Sequence, residues 1–219
     1  MSAAPRSSVP SRGPALVVPV AAMLAGGVIF LVGLRAMPDR DPPLPVFASV
    51  PEFRLISSAG EVVERRDLLG HPWVVNLMFT SCAGICPRMT SEMARLEEGT
   101  RDLPETRFVS ITVDPERDTP EVLAAYAGKR HVERDRWLFL TGERKAIYQL
   151  ASQGFLLSAQ EGDPRRGEDA VLHSARFVLV DGAGRVRGTY DSRDPAALLR
   201  LRGDLRRVEA SPPPPSPGA

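Results

Sequence analysis

Residues 74–90 read VVNLMFTSCAGICPRMT, and this stretch limits what the chain can fold into more than any other. Residues 74–80 form an apolar run without charge, which reads as a strand buried on both faces. Directly after it come Cys82 and Cys86, the two cysteines of the 219-residue sequence. Pro87 then opens a segment of helical periodicity. Proline suits the first helical position, because its missing N–H is one the helix could not have paired. The unpaired N–H groups and the dipole of that helix end favour negative charge, so a thiol there ionises more readily. Cysteine is often only a small buried hydrophobe. Cys-X3-Cys-Pro at a strand-to-helix junction is hard to explain as packing, and it predicts redox chemistry, soft-metal binding, or both.

The elements on either side predict an α/β sheet covered by helices. Residues 53–69 read as a hairpin turning at Ala59-Gly60. After the 74–80 strand, Met89, Met93 and Leu96 recur at helical spacing, which marks a core-facing stripe rather than copper ligands. Residues 108–113 (FVSITV) predict a second buried strand. Thr119 reads as an N-cap with Pro120 at the first helical position, and Val122, Leu123 and Tyr126 as the apolar face. Residues 137–140 predict a short third strand and residues 143–152 a further helix. Residues 160–170 (QEGDPRRGEDA) predict a long polar loop, the kind of segment that often carries function. Residues 175–181 and 185–190 predict a hairpin around Gly182-Ala183-Gly184. A last helix over 195–208 places Leu198, Leu201, Leu205 and Val208 on one face. This order, with the cysteines after the first central strand, is the thioredoxin-like arrangement.

The N-terminus has a different composition. Residues 15–34 (ALVVPVAAMLAGGVIFLVGL) carry no charge. At about 1.5 Å per residue they reach about 30 Å, the thickness of a bilayer's hydrocarbon core. They predict an uncleaved transmembrane anchor, since Leu34-Arg35-Ala36 makes a poor signal-peptide cleavage site. Residues 1–14 then form a cytoplasmic segment, 35–46 a stiff proline-rich linker, 47–209 the folded domain, and 210–219 a disordered proline-rich tail. The flanking arginines balance, and the N-terminal amine tips the orientation toward N-terminus inside. The domain is expected outside the cytoplasmic (inner) membrane, where thiol and copper chemistry is common. The formal net charge is +1, with both signs interspersed and aromatics sparse, so no nucleic-acid partner is expected.

His71 and His131 read as exposed bystanders. His173 closes the polar loop at the start of a strand that, in a thioredoxin-like sheet, runs beside the cysteine strand. Two thiols and an imidazole offer S, S and N, a set that suits copper. Zinc usually takes four ligands in a closed site, and the sequence has no second cysteine pair. Neither a phosphate-binding glycine loop nor a dinucleotide fingerprint is present.

Three motifs carry a resemblance to a known family: Phe79-Thr80-Ser81-Cys82-Ala83-Gly84-Ile85-Cys86-Pro87, then Val113-Asp114-Pro115-Glu116-Arg117-Asp118-Thr119-Pro120, and His173-Ser174 before an apolar strand ending at Asp181. Together they resemble the SCO/SenC proteins, membrane-anchored copper chaperones for cytochrome c oxidase, from about Phe53 to the final helix. The resemblance implies Cys82, Cys86 and His173 as copper ligands, Cu(I) or Cu(II) as the bound ion, and delivery to the oxidase subunit that carries the Cu(A) centre. It departs at Ala83, where many members have proline. Asp114, at a strand end near the site, is expected behind the ligands rather than among them. A copper donor or a thiol reductant is the implied second partner.

A thiol–disulfide oxidoreductase acting on a partner's cysteines is the alternative, with Cys82 and Cys86 as redox-active thiols. Against it stand the three-residue spacer and Leu172-His173-Ser174 where generic thioredoxins carry a cis-proline. A peroxidase would need Thr-X-X-Cys, and the sequence has Thr80-Ser81-Cys82. A copper sensor without a delivery role is a fourth reading.

Overall fold

The computed structural model describes residues 42–129, 136–157 and 174–210. The apolar run 15–34, the loop 160–170, His131, His173 and the tail 211–219 lie outside the described residues. Among the described residues, no helix is long and apolar enough to cross a membrane.

Eight strands are described: β1 Ala48–Ser49, β2 Arg54–Ser57, β3 Val62–Glu64, β4 Trp73–Met78, β5 Arg107–Thr112, β6 Trp137–Thr141, β7 Arg176–Val180 and β8 Arg185–Asp191. They form one mixed sheet in the order β1-β8-β7-β4-β5-β6-β2-β3. Strand β4 runs parallel to β5 with Met78 opposite Thr112, and antiparallel to β7 with Trp73 opposite Val180. All six β4 residues are buried, as an apolar strand covered on both faces must be. Its side chains alternate between two cores. Trp73, Val75 and Leu77 join one, with Val109, Ile111 and Phe155. Val74 and Met78 join the other, with Met89, Met93 and Leu205. Asn76 shares that second face; Ser110 Oγ donates to its Oδ1 at 2.7 Å, while its buried Nδ2 has no hydrogen-bond partner among the described residues.

Four α-helices cover these faces: α1 Cys86–Glu98, α2 Pro120–Gly128, α3 Arg144–Gln149 and α4 Pro195–Glu209. In α1 the predicted stripe is buried, with Met89 and Met93 at 0% exposure and Leu96 at 7%. Each full burial stabilises by roughly 2 kcal/mol. Helix α1 starts at Cys86, so Pro87 takes its second position rather than its first. Helix α2 starts as expected, with Thr119 Oγ1 accepting from Val122 N–H. Asp194 caps α4 in the same way, accepting from Ala196 N–H at 2.9 Å. With the β8-β7-β4-β5 centre and helices on both faces, this is a thioredoxin-like α/β fold.

Several local expectations need correction. Val122 is exposed at 40%; the buried pair on α2 is Leu123 and Ala127, one turn apart. On α4, Leu198 is only half-buried and Ala197 takes the core position. The helix expected over 143–152 breaks after Gln149 into a π-type turn, Leu150–Gly154. That wider turn carries Phe155 into the core, edge-on to Trp73 with ring centroids 5.7 Å apart. The hairpin expected over 53–69 closes earlier, at β3, and a short 3-10 turn Arg65–Leu68 follows.

The β7–β8 turn has Gly184 at φ +75°, a conformation that a Cβ would strain. Behind it lies Asp181, which is buried and accepts from Arg185 at 2.9 Å and Arg187 at 2.7 Å. Arg187 also reaches across the sheet edge. Its Nε donates to the Pro45 carbonyl at 3.1 Å and its Nη2 to the Leu44 carbonyl. Beside this contact β1 pairs with β8, Ala48 opposite Val186.

Candidate functional site

The parallel pair β4–β5 ends in two loops that pack together. The ladder continues past the strands, with Val113 N–H donating to the Met78 carbonyl at 2.9 Å. Beyond it the β5 chain turns sharply: Arg117 N–H and Asp118 N–H both donate to the Asp114 carbonyl, at 3.1 and 2.9 Å. The turn brings Asp118 under the ends of both strands, fully buried. Its carboxylate accepts from Thr80 N–H at 3.0 Å and Thr112 Oγ1 at 2.5 Å, and also from Thr80 Oγ1. Thr80 is the last residue before the cysteine loop, so one carboxylate ties that loop to its neighbour.

The loop then turns, with Cys82 N–H donating to the Phe79 carbonyl at 3.3 Å, and feeds Cys86 into the first position of α1. The two thiols are free and sit in contrasting surroundings. Cys86 is 4% exposed and packs with Met78 and Met89. Cys82 is half-buried, and the residues around it, Ser81, Ala83 and Gly84, are exposed. Burial works against ionising Cys82. Hydrogen bonds to its sulfur from the backbone and thiol of Cys86, then from the N–H groups of Gly84 and Ile85, outweigh burial and hold the thiol below its ordinary value. Burial pushes the Cys86 thiol up to about 12, helped by its hydrogen bond to Cys82. The helix mouth therefore favours one thiolate and keeps the other sulfur protonated beside it. Helix α1 is held at this end by Thr90, whose Oγ1 donates to the Cys86 carbonyl at 2.9 Å and meets Tyr126 Oη at 2.8 Å.

The geometry thus brings Cys82 and Cys86 together. Among the described residues, no third Cys, His, Asp or Glu joins them as a ligand cluster. Asp114 stands at the expected strand end, where its carboxylate pairs with Arg117 at 3.3 Å. The carboxylate that reaches the cysteine loop belongs to Asp118, which sequence reasoning had only as one letter of a motif. The signal for it was a threonine at each of two neighbouring strand ends and an acid four residues past Asp114, where the turn closes. His71 lies before β4, at the opposite end of the strand, with its Nδ1 3.0 Å from Glu105. It stands away from the cysteine loop, but half-buried rather than exposed as expected.

Two thiols in mutual hydrogen-bond contact at a positive helix end can close as a disulfide, act as nucleophile and resolving partner, or converge on one soft ion. Known proteins share this fold. Residues 44–202 match the SCO1/SenC family profile. The SCO1 protein homolog of Bacillus subtilis (strain 168) is 32% identical over 170 residues, 77% of this chain and 86% of that protein. The solved structure of BsSco, a member of the Sco family of cytochrome c oxidase assembly proteins in which a disulfide switch was identified, superposes with a TM-score of 0.68 at 27% identity. The match covers 78% of this chain and 98% of that one. Bradyrhizobium japonicum ScoI, solved with copper bound, shares the fold at 23% identity and a TM-score of 0.61, over 74% of this chain and 99% of its own. The match of the profile across the whole sheet, from the chain that enters β1 to α4, settles the relationship: this chain belongs to the SCO1/SenC family.

Proposed function

We propose that the protein is a membrane-anchored copper carrier that delivers its ion to the Cu(A) centre of cytochrome c oxidase during assembly. The observation that carries this reading is the dithiol: Cys82 and Cys86 in hydrogen-bond contact, one sulfur reachable and held below its ordinary pKa, the other buried at the helix start. That donor set fits a soft ion. Copper, as cargo, would be held by both sulfurs, with the N–H groups at the mouth of α1 offsetting the negative charge that two thiolates bring. Loading requires Cys86 to give up its proton, so uptake should release protons and strengthen as pH rises.

His173 is the third ligand in this reading. The sheet register supports it, because β7 runs antiparallel to β4 and begins at Arg176, at the end of the sheet from which the cysteine loop leaves. His173 precedes Arg176 by three residues. Residues 15–34 supply the anchor, and the domain stands on the outer side of the cytoplasmic membrane. The oxidase subunit and a copper donor or thiol reductant are its partners.

The test is copper stoichiometry and valence on the full chain after reduction. One ion per chain is expected, lost in Cys86→Ser and absent from the disulfide form. Full-strength binding by Cys86→Ser would refute the shared site. The asymmetry of the thiols also favours a second reading, a thiol–disulfide oxidoreductase with Cys82 attacking and Cys86 resolving. His173→Ala separates the two. A copper carrier loses Cu(II) affinity far more than Cu(I) affinity and keeps disulfide exchange. Loss of exchange with copper affinity untouched would establish the oxidoreductase.

A further inference from the structure

The buried carboxylate of Asp118 is costly to hold inside a protein unless its acceptor capacity is used. Here it is used by groups from two different segments, the chain leaving β4 and the last residue of β5. Thr80 contributes its N–H (3.0 Å) and its hydroxyl, and Thr112 its hydroxyl at 2.5 Å. Thr80 stands two residues before Cys82 and directly ahead of the exposed Ser81. Past Thr80, the loop before α1 is held by the turn from Cys82 N–H to the Phe79 carbonyl, by the contacts at the Cys82 sulfur itself and by the packing of Ile85 on the core. Of the polar constraints, the grip on Thr80 is the one that involves neither cysteine. It comes from the turn after β5, and it fixes where the chain leaves β4.

We propose that Asp118 is a positioning residue for the dithiol: it holds Thr80, and through it Cys82, at the separation from Cys86 at which both sulfurs address one ion. The inference rests on the copper reading for its ion but not for its geometry, since the same separation governs closure of the Cys82–Cys86 disulfide. Asp118 acts through Thr80 and does not touch the cargo. Freed of this anchor, the loop still folds onto α1, but Cys82 samples a wider range of positions. Cu(I) then leaves faster, and the balance between dithiol and disulfide shifts.

The test compares Asp118→Asn and Thr80→Val with Thr106→Val in the full chain. Thr106 also donates to a carboxylate, Glu209 at 2.5 Å, but at the opposite end of β5, so Thr106→Val loses an equivalent bond away from the site. Two readouts are taken alongside denaturant stability: Cu(I) transfer to a chromophoric chelator, and the Cys82–Cys86 reduction potential in glutathione buffers. Asp118→Asn and Thr80→Val should weaken Cu(I) retention by about 10-fold or more, the usual effect of losing a partner behind a ligand, and both should move the potential in the same direction. Thr106→Val should lose stability and keep both site readouts. Should Asp118→Asn fail to fold, Thr80→Val reads the same contact. If wild-type protein binds no Cu(I), the copper reading fails, and the potential alone decides the positioning role. If wild type binds Cu(I) while both site variants match it within twofold in both readouts, or if Thr106→Val shifts the site as much as they do, Asp118 is structural only and the proposal falls.

Discussion

The two thiols should differ in alkylation rate by a margin that can be worked out from their surroundings. Cys82 is held below its ordinary value of 9.0 and Cys86 lies near 12. At pH 8 this gives Cys82 at least ~1,000-fold more thiolate than Cys86. Thiolates of higher pKa are better nucleophiles, and over that gap the advantage returns roughly 15- to 30-fold to Cys86. The net preference for Cys82 is therefore at least about 30-fold before access is counted. Access widens it further, because Cys86 is 4% exposed. The assay is initial-rate labelling of the reduced full chain with iodoacetamide, read by peptide mapping below one label per chain. Only the first label is informative, since blocking Cys82 removes the group that helps to keep Cys86 protonated. The rate should rise with pH through the Cys82 titration, below 9.0. Equal initial labelling of the two cysteines, or Cys86 reacting first, would refute the division of labour at the helix mouth.

Three further outcomes follow from the core and its caps. Burial alone would raise the Asp181 carboxyl, but bonds from Arg185 and Arg187 hold it below the ordinary carboxylate range. Its stabilisation is thus complete above about pH 4 and is lost as pH falls through the lower folded value. Asp181→Ala should cost about 3 kcal/mol at pH 7 and shrink the difference in stability between pH 7 and pH 3; an unaltered acid-unfolding curve would count against the pairing. Met93→Ala should cost about 3 kcal/mol in urea unfolding, since the side chain is fully enclosed between α1 and the sheet. Thr119→Ala should lower stability by about 1 kcal/mol through the lost cap of α2, measured the same way.

The features legible in the sequence are those that local chemistry decides alone. A largely apolar, uncharged run reads as the doubly covered β4, and the Pro-opened periodic segment after it as α1. The thiols were therefore placed correctly, within one residue at the helix start. The misplacements arise where two elements compete for one space. Val122 and Leu198 are good core residues on a helical wheel, but Leu123 with Ala127, and Ala197, face the sheet once the helices dock. The π-type turn after Gln149 is dictated by Phe155 reaching Trp73, a contact 82 residues apart in the chain that no local pattern announces. Asp118 was hidden for the same reason: its partners Thr80 and Thr112 stand at the ends of two neighbouring strands, and only the β4–β5 register sets them side by side.

Arg187 determines how mechanical load enters this domain. The ladder between β1 and β8 is only two residues long on the β1 side, and alone it would peel open under a small sideways force. The guanidinium bolts the incoming chain at Leu44 and Pro45 and is itself seated on Asp181, at the root of the β7–β8 turn. A tug from upstream is therefore delivered through Arg187 into β7, and β7 is hydrogen-bonded to β4. The incoming segment behaves as a rivet rather than a leash, and tension on it passes through β7 to the strand that presents the cysteines.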